Sequence, residues 1–160
     1  MLVTNKNIHF FDDEVFSGIF NRVAKAYIYN RMAWRVLNLL WAAQQSLHVD
    51  GSFIECSVFR GFKSYFLLSY LKEKLSNRDF ILCDTYEGID VRQSHLSPIS
   101  NDEHNKENLY SFILHRFCEF RNVIVNKGIV PNSLYHLNID KVAFLHLDMN
   151  SYKAEISALD

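Results

Sequence analysis

The chain has 160 residues, 49% of them hydrophobic and 22% charged, with a formal net charge of −1 at pH 7. That length suits one domain able to bury about 70% of the surface its unfolded chain exposes. The charge balance excludes a phosphate-driven nucleic-acid binder, no apolar run reaches the ~18 residues of a membrane span, and the N-terminus lacks the features of a signal peptide.

Residues 13–47 read as helix, with Met32, Val36, Leu39, Leu40 and Leu47 at three-to-four spacing and Arg31, Arg35, Asn38 and Gln45 on other faces. A break near Tyr29 and Asn30 divides this stretch in one reading. The turn HVDG leads into the apolar strand SFIECSVF, and GFKSYFLLSYLKEKL follows as a helix with Phe62, Phe66, Leu67, Tyr70 and Leu71 on one side. FILCD is a buried-type strand ending at Asp84. Residues 85–108 form a long connection of the kind that is functional or mobile. KENLYSFILHRFCEF is helical in pattern, NVIVNKG a third strand, IVPNSL a turn and KVAFLHLD a fourth strand, with a last helix beginning over Tyr152. Cys56, Cys83 and Cys118 are odd in number and set in apolar stretches, which suits reduced, buried thiols of a cytoplasmic protein.

Near-continuous apolar strands alternating with helices predict a Rossmann-like α/β fold, a parallel sheet with helices on both faces and ligands beyond the carboxyl ends of the strands. A helical segment over 1–50 precedes this core over 51–160. The polar residues at strand ends are therefore the candidates. The first strand ends in ECSVFRG, where Glu55, Ser57, Arg60 and Gly61 would let the backbone approach a ligand at a helix N-terminus; an ordinary turn with a salt-bridged glutamate is the alternative. Asp84, 29 residues beyond Glu55, either accepts hydrogen bonds from a ribose diol or caps a turn. Tyr86 beside it is placed to stack on an adenine, although the aromatic abundance otherwise reads as core. Asp148 ends the fourth strand, where a carboxylate either binds magnesium or caps the next helix. His146 reads as an interior histidine. His95, His104 and His115 fit no metal spacing, and Arg31 and Arg35 either reach a substrate or, as polar positions on a surface helix, face water.

Taken together, DGSFIECSVFRG, CDTYEGID, VIVNKGIVPNSL and LHLDMNSYKAEISAL resemble, in order, four signatures of the macrocin O-methyltransferase family over about residues 31–160. The resemblance implies a class I methyltransferase fold and metal-dependent transfer of a methyl group from S-adenosylmethionine to a sugar hydroxyl of a small molecule or glycan. It implies that Glu55, Ser57, Arg60, Gly61, Asp84 and Tyr86 line the cofactor and that Asp148 is the first magnesium ligand. Ser57 stands where the family has glycine. Asn150 stands where it has a second aspartate, and an amide cannot take a proton at neutral pH. No general base is identified.

Family members continue into a fifth strand that supplies further metal aspartates, so the chain reads as the first two-thirds of such an enzyme. Three expectations follow: metal affinity at Asp148 is poor, the edge of strand four self-associates or is covered by the N-terminal helices, and turnover is in question. The competing function is a non-catalytic nucleoside-binding module. A nicotinamide enzyme is disfavoured because G-x-G-x-x-G is missing.

Overall fold

A computed structural model of the chain describes residues 9–24, 32–88 and 108–159. Its centre is a parallel sheet of β1 (Ser52–Cys56), β2 (Phe80–Asp84), β3 (Val123–Lys127) and β4 (Val142–Leu147) in the order β3-β2-β1-β4. This is the order that right-handed crossovers give a chain winding one way from β1 and then returning past it. Within the register, Glu55 lies between Leu82 and His146, and Cys56 between Cys83 and Leu147.

Strand side chains alternate, so Phe53 and Glu55 face one side of β1, and Ile54 and Cys56 the other. The first side carries the main core. It is covered by α1 (Glu14–Val23), α2 (Ala33–Ser46), α3 (Phe62–Tyr70), the short α4 (Lys72–Leu75) and α5 (Leu109–Arg116). Phe16 and Phe20 of α1 meet Phe66 and Phe62 of α3 edge-on, with ring centroids 5.0 and 6.0 Å apart. In α2 the buried stripe is Ala33, Val36, Leu40 and Ala43: Val36 and Leu40 are buried as the sequence suggested, and the small Ala33 and Ala43 complete the three-to-four repeat. Asp13 starts α1 by accepting the amides of Val15 and Phe16, and it also accepts the hydroxyl of Tyr70 from α3, tying the two helices together.

The opposite side carries a thinner core of Ile54, Cys56, Ile81, Cys83 and Val130. A 3-10 turn over Asn132–His136 and the final helix α6 (Tyr152–Leu159) cover it, contributing Leu134 and Ala158. The segment expected to be a simple turn is thus a short helix.

The long helix expected over GFKSYFLLSYLKEKL is interrupted at Leu71. Cys56 and Cys83 are buried, but Cys118 is exposed, correcting the expectation of three buried thiols; it lies in the turns just beyond α5, where the helical stripe has ended. Among the described residues no strand pairs with the outer edge of β4, and no helix is long and apolar enough to cross a membrane. The expected break near Tyr29 and Asn30, Arg31, and most of the 85–108 connection with His95 and His104 lie outside the described residues.

Candidate active site

The turn from β1 to α3 is built on left-handed backbone. Ser57, Phe59 and Gly61 have φ of 72°, 51° and 70°. A side chain at such a φ is strained, so glycine would suit the position of Ser57 better. Gly61 is required for a second reason: a β-carbon there would lie 2.5 Å from the Phe117 ring beyond α5. Its job in this chain is to let α3 pack, and the described contact is with protein.

Asp84 organises this turn. One carboxylate oxygen accepts the Phe59 amide at 2.9 Å and the other accepts the Tyr86 amide at 2.9 Å. The β1 turn is therefore latched to the end of β2. A carboxylate has about four acceptor positions, so these two short bonds leave room for the hydroxyls of a ribose. Arg60 lies over the Phe59 ring in the same turn. Tyr86, in contrast, is buried, and its hydroxyl donates to the Leu82 carbonyl at 3.0 Å. Burial, with nearby Asp84, pushes its phenol far above the usual range. The structure packs its ring against Tyr110.

Glu55 does not point beyond the strand. It is 2% exposed, and its carboxylate meets Ser64 Oγ, Lys63 Nζ at 3.4 Å and His146 Nδ1 at 3.2 Å. A carboxylate this deep needs both hydrogen bonds and a counter-charge, and α3 supplies them one turn in. The same Lys63 ammonium reaches Asp148 at 2.7 Å, and Arg35 of α2 stands 4.0 Å from that Asp148 oxygen. Burial would raise the Asp148 carboxyl, but the Lys63 hydrogen bond and charge, with His146 and Arg35, hold it below its ordinary value.

Lys63, Asp148, Arg35 and His146 form the polar floor of a cleft of about 430 Å³ between α2 and β4, with Leu39, Ala42 and Phe144 as apolar wall. The sequence placed Asp148 at this strand end but gave no role to Lys63. The available signal was a lone cation in the otherwise uncharged run Phe62–Tyr70. Arg35 is exposed and His146 is a partly buried histidine paired with Glu55, as the sequence suggested, and both also line the cleft.

The fit to a divalent cation is poor. Asp148 is bonded to an ammonium, both Glu55 oxygens are engaged, and among the described residues no three His, Cys, Asp or Glu side chains are grouped to hold a metal.

A 3-2-1-4 parallel sheet with an acid closing β2 beside the turn after β1 is Rossmann-like, and the likeness to solved methyltransferases makes it a class I methyltransferase fold. The profile of the Macrocin-O-methyltransferase (TylF) family matches residues 30–160, and the chain belongs to that family. Among solved structures it is similar to the O-methyltransferase NovP, with a TM-score of 0.63 at 19% identity over 78% of this chain and 57% of that one. It is also similar to CalS11, a calicheamicin methyltransferase, with a TM-score of 0.59 at 12% identity over 99% of this chain and 77% of that one. The apo form of CalS11, described as a TDP-rhamnose 3'-O-methyltransferase, aligns with a TM-score of 0.51 at 16% identity, over 98% and 73% of the two chains. At these identities the likeness is one of fold, and the chain spans little more than half the length of NovP. A search of curated proteins gave no match.

Proposed function

We propose that the chain binds S-adenosylmethionine across the carboxyl ends of β1 and β2 and serves methyl transfer to a hydroxyl of a sugar or related small molecule. The observation that carries the reading is Asp84, which latches the β1 turn and keeps acceptor positions for a ribose diol, within a match to the family over residues 30–160. The cofactor supplies an electrophilic methyl on a sulfonium. Ser57 and Arg60 flank its methionine end, and Asp84 orients its ribose. Glu55 supports the turn from below through Lys63 and Ser64. The acceptor enters the cleft between α2 and β4, where Asn38, Arg35 and His146 offer polar contacts over an apolar wall that excludes water.

Calorimetric titration with S-adenosylhomocysteine tests the reading. Binding to the wild type and at least a tenfold loss in Asp84→Ala, roughly the value of one charge-assisted hydrogen bond, is the expected outcome. Circular dichroism must show both chains folded, because Asp84 also holds the turn. A folded wild type that does not bind overturns the proposal.

A second reading, binding without turnover, is favoured by Asn150, which holds left-handed backbone (φ 54°) after β4 and carries no basic group. Tight binding of S-adenosylhomocysteine with no transfer of labelled methyl to sugar acceptors separates it from the first.

A further inference from the structure

We propose that Lys63 is a built-in cation that takes the place of a divalent metal at Asp148. Three observations meet there. Lys63 is only 12% exposed in its side chain and stands between two carboxylates, at 2.7 Å from Asp148 and 3.4 Å from Glu55. Glu55 cannot serve as a second ligand, since one oxygen accepts Ser64 Oγ and the other is shared by Lys63 and His146. Arg35 adds positive charge 4.0 Å from the same Asp148 oxygen.

A magnesium ion takes carboxylate oxygen at about 2.1 Å and gives up its waters reluctantly. It would have to share a carboxylate whose Oδ2 already holds an ammonium and sit beside two cations. Displacing Lys63 would also strip the counter-charge from Glu55, which is buried and has no route to solvent compensation. Metal and lysine therefore compete for the charge of one carboxylate, and the lysine is covalently present at every concentration. An ammonium has three donors. With one donated to Asp148 and the charge paired with Glu55, donor capacity is left for an acceptor oxygen in the cleft. The positive charge at this end of the site is thus fixed by the chain itself.

The inference rests on reading the end of β4 as the acceptor side, but its test requires no turnover. Manganese serves as the probe, with binding read from loss of the free-ion electron paramagnetic resonance signal. At millimolar manganese the wild type should leave the signal unchanged. Lys63→Gln, which removes the charge and keeps a donor, should bind the ion roughly tenfold more tightly or better, and Lys63→Gln/Asp148→Asn should lose that gain.

Wild-type binding that disappears in Asp148→Asn overturns the proposal. So does a folded Lys63→Gln that gains nothing. Should Lys63→Gln fail to fold, the wild type still decides: its Lys63 ammonium resonance in nitrogen-resolved NMR should be abolished or shifted by Asp148→Asn and unmoved by millimolar magnesium, and a shift with magnesium refutes the idea. S-adenosylhomocysteine affinity, measured separately in each variant, tests the cofactor reading, while manganese binding alone decides this one.

Discussion

Ser57 is held at φ 72°, in backbone that glycine adopts without strain. A β-carbon in left-handed backbone costs about 1–2 kcal/mol, while glycine costs up to about 1 kcal/mol through the freedom of the unfolded chain. Ser57→Gly should therefore stabilise the fold by about 0.5–1 kcal/mol in urea unfolding, and no gain would mean the turn relaxes on its own. Asp148 makes a prediction in pH. Its carboxyl titrates below the ordinary 3.8 when folded, so its contribution is present above that value and is lost as pH falls through the folded pKa. The group is 38% exposed; solvent screening holds the contribution within about 1 kcal/mol. The stability gap between wild type and Asp148→Asn should be constant from pH 5 to 7 and close below pH 3.8. A gap that persists in acid would mean that the ion pair with Lys63 is not its source.

The β1–α3 connection is where backbone geometry, packing and site coincide. Gly61 lets α3 begin against Phe117 and Ile113, with a φ of 70° that other residues resist. Gly61→Ala combines strain with overpacking and should cost about 1–3 kcal/mol in thermal or chemical unfolding. A neutral outcome would require the Phe117 ring to swing aside. The glycine itself was legible in ECSVFRG, and so was its place before a helix. Its packing partner was not, because Phe117 lies beyond the long connection and only the crossover brings it back. Lys63 escaped notice for a related reason: a helical lysine defaults to solvent, and only the closure of α3 onto β1 and β4 buries this one.

For the whole molecule, β4 is the sheet's open flank among the described residues, with Val142 and Leu145 partly exposed and α2 lying against the strand. Unpaired amides along an apolar strand favour pairing with another copy. We expect concentration-dependent self-association in sedimentation velocity, reduced by Leu145→Lys; a wild type that sediments as a monomer at all concentrations would show that α2 shields the edge sufficiently. A charge on an edge strand is the common means of blocking such pairing, and it leaves the cofactor end of β1 and β2 untouched.

The sequence by itself determined the alternation of elements and the two acids that mark the strand ends, because apolar period and turn chemistry are local properties read over a few residues. It also carried the family signatures, since those are runs of neighbours. What only the tertiary structure decided is how the acids are used. Asp84 latches the β1 turn across a gap of 25 residues to Phe59, Tyr86 turns inward to Leu82, and Lys63 is drawn to Asp148 across 85. A carboxylate's role depends on which cation and which amides surround it in a medium of low dielectric. Those neighbours are set by the crossovers of the fold, and spacing along the chain does not contain them.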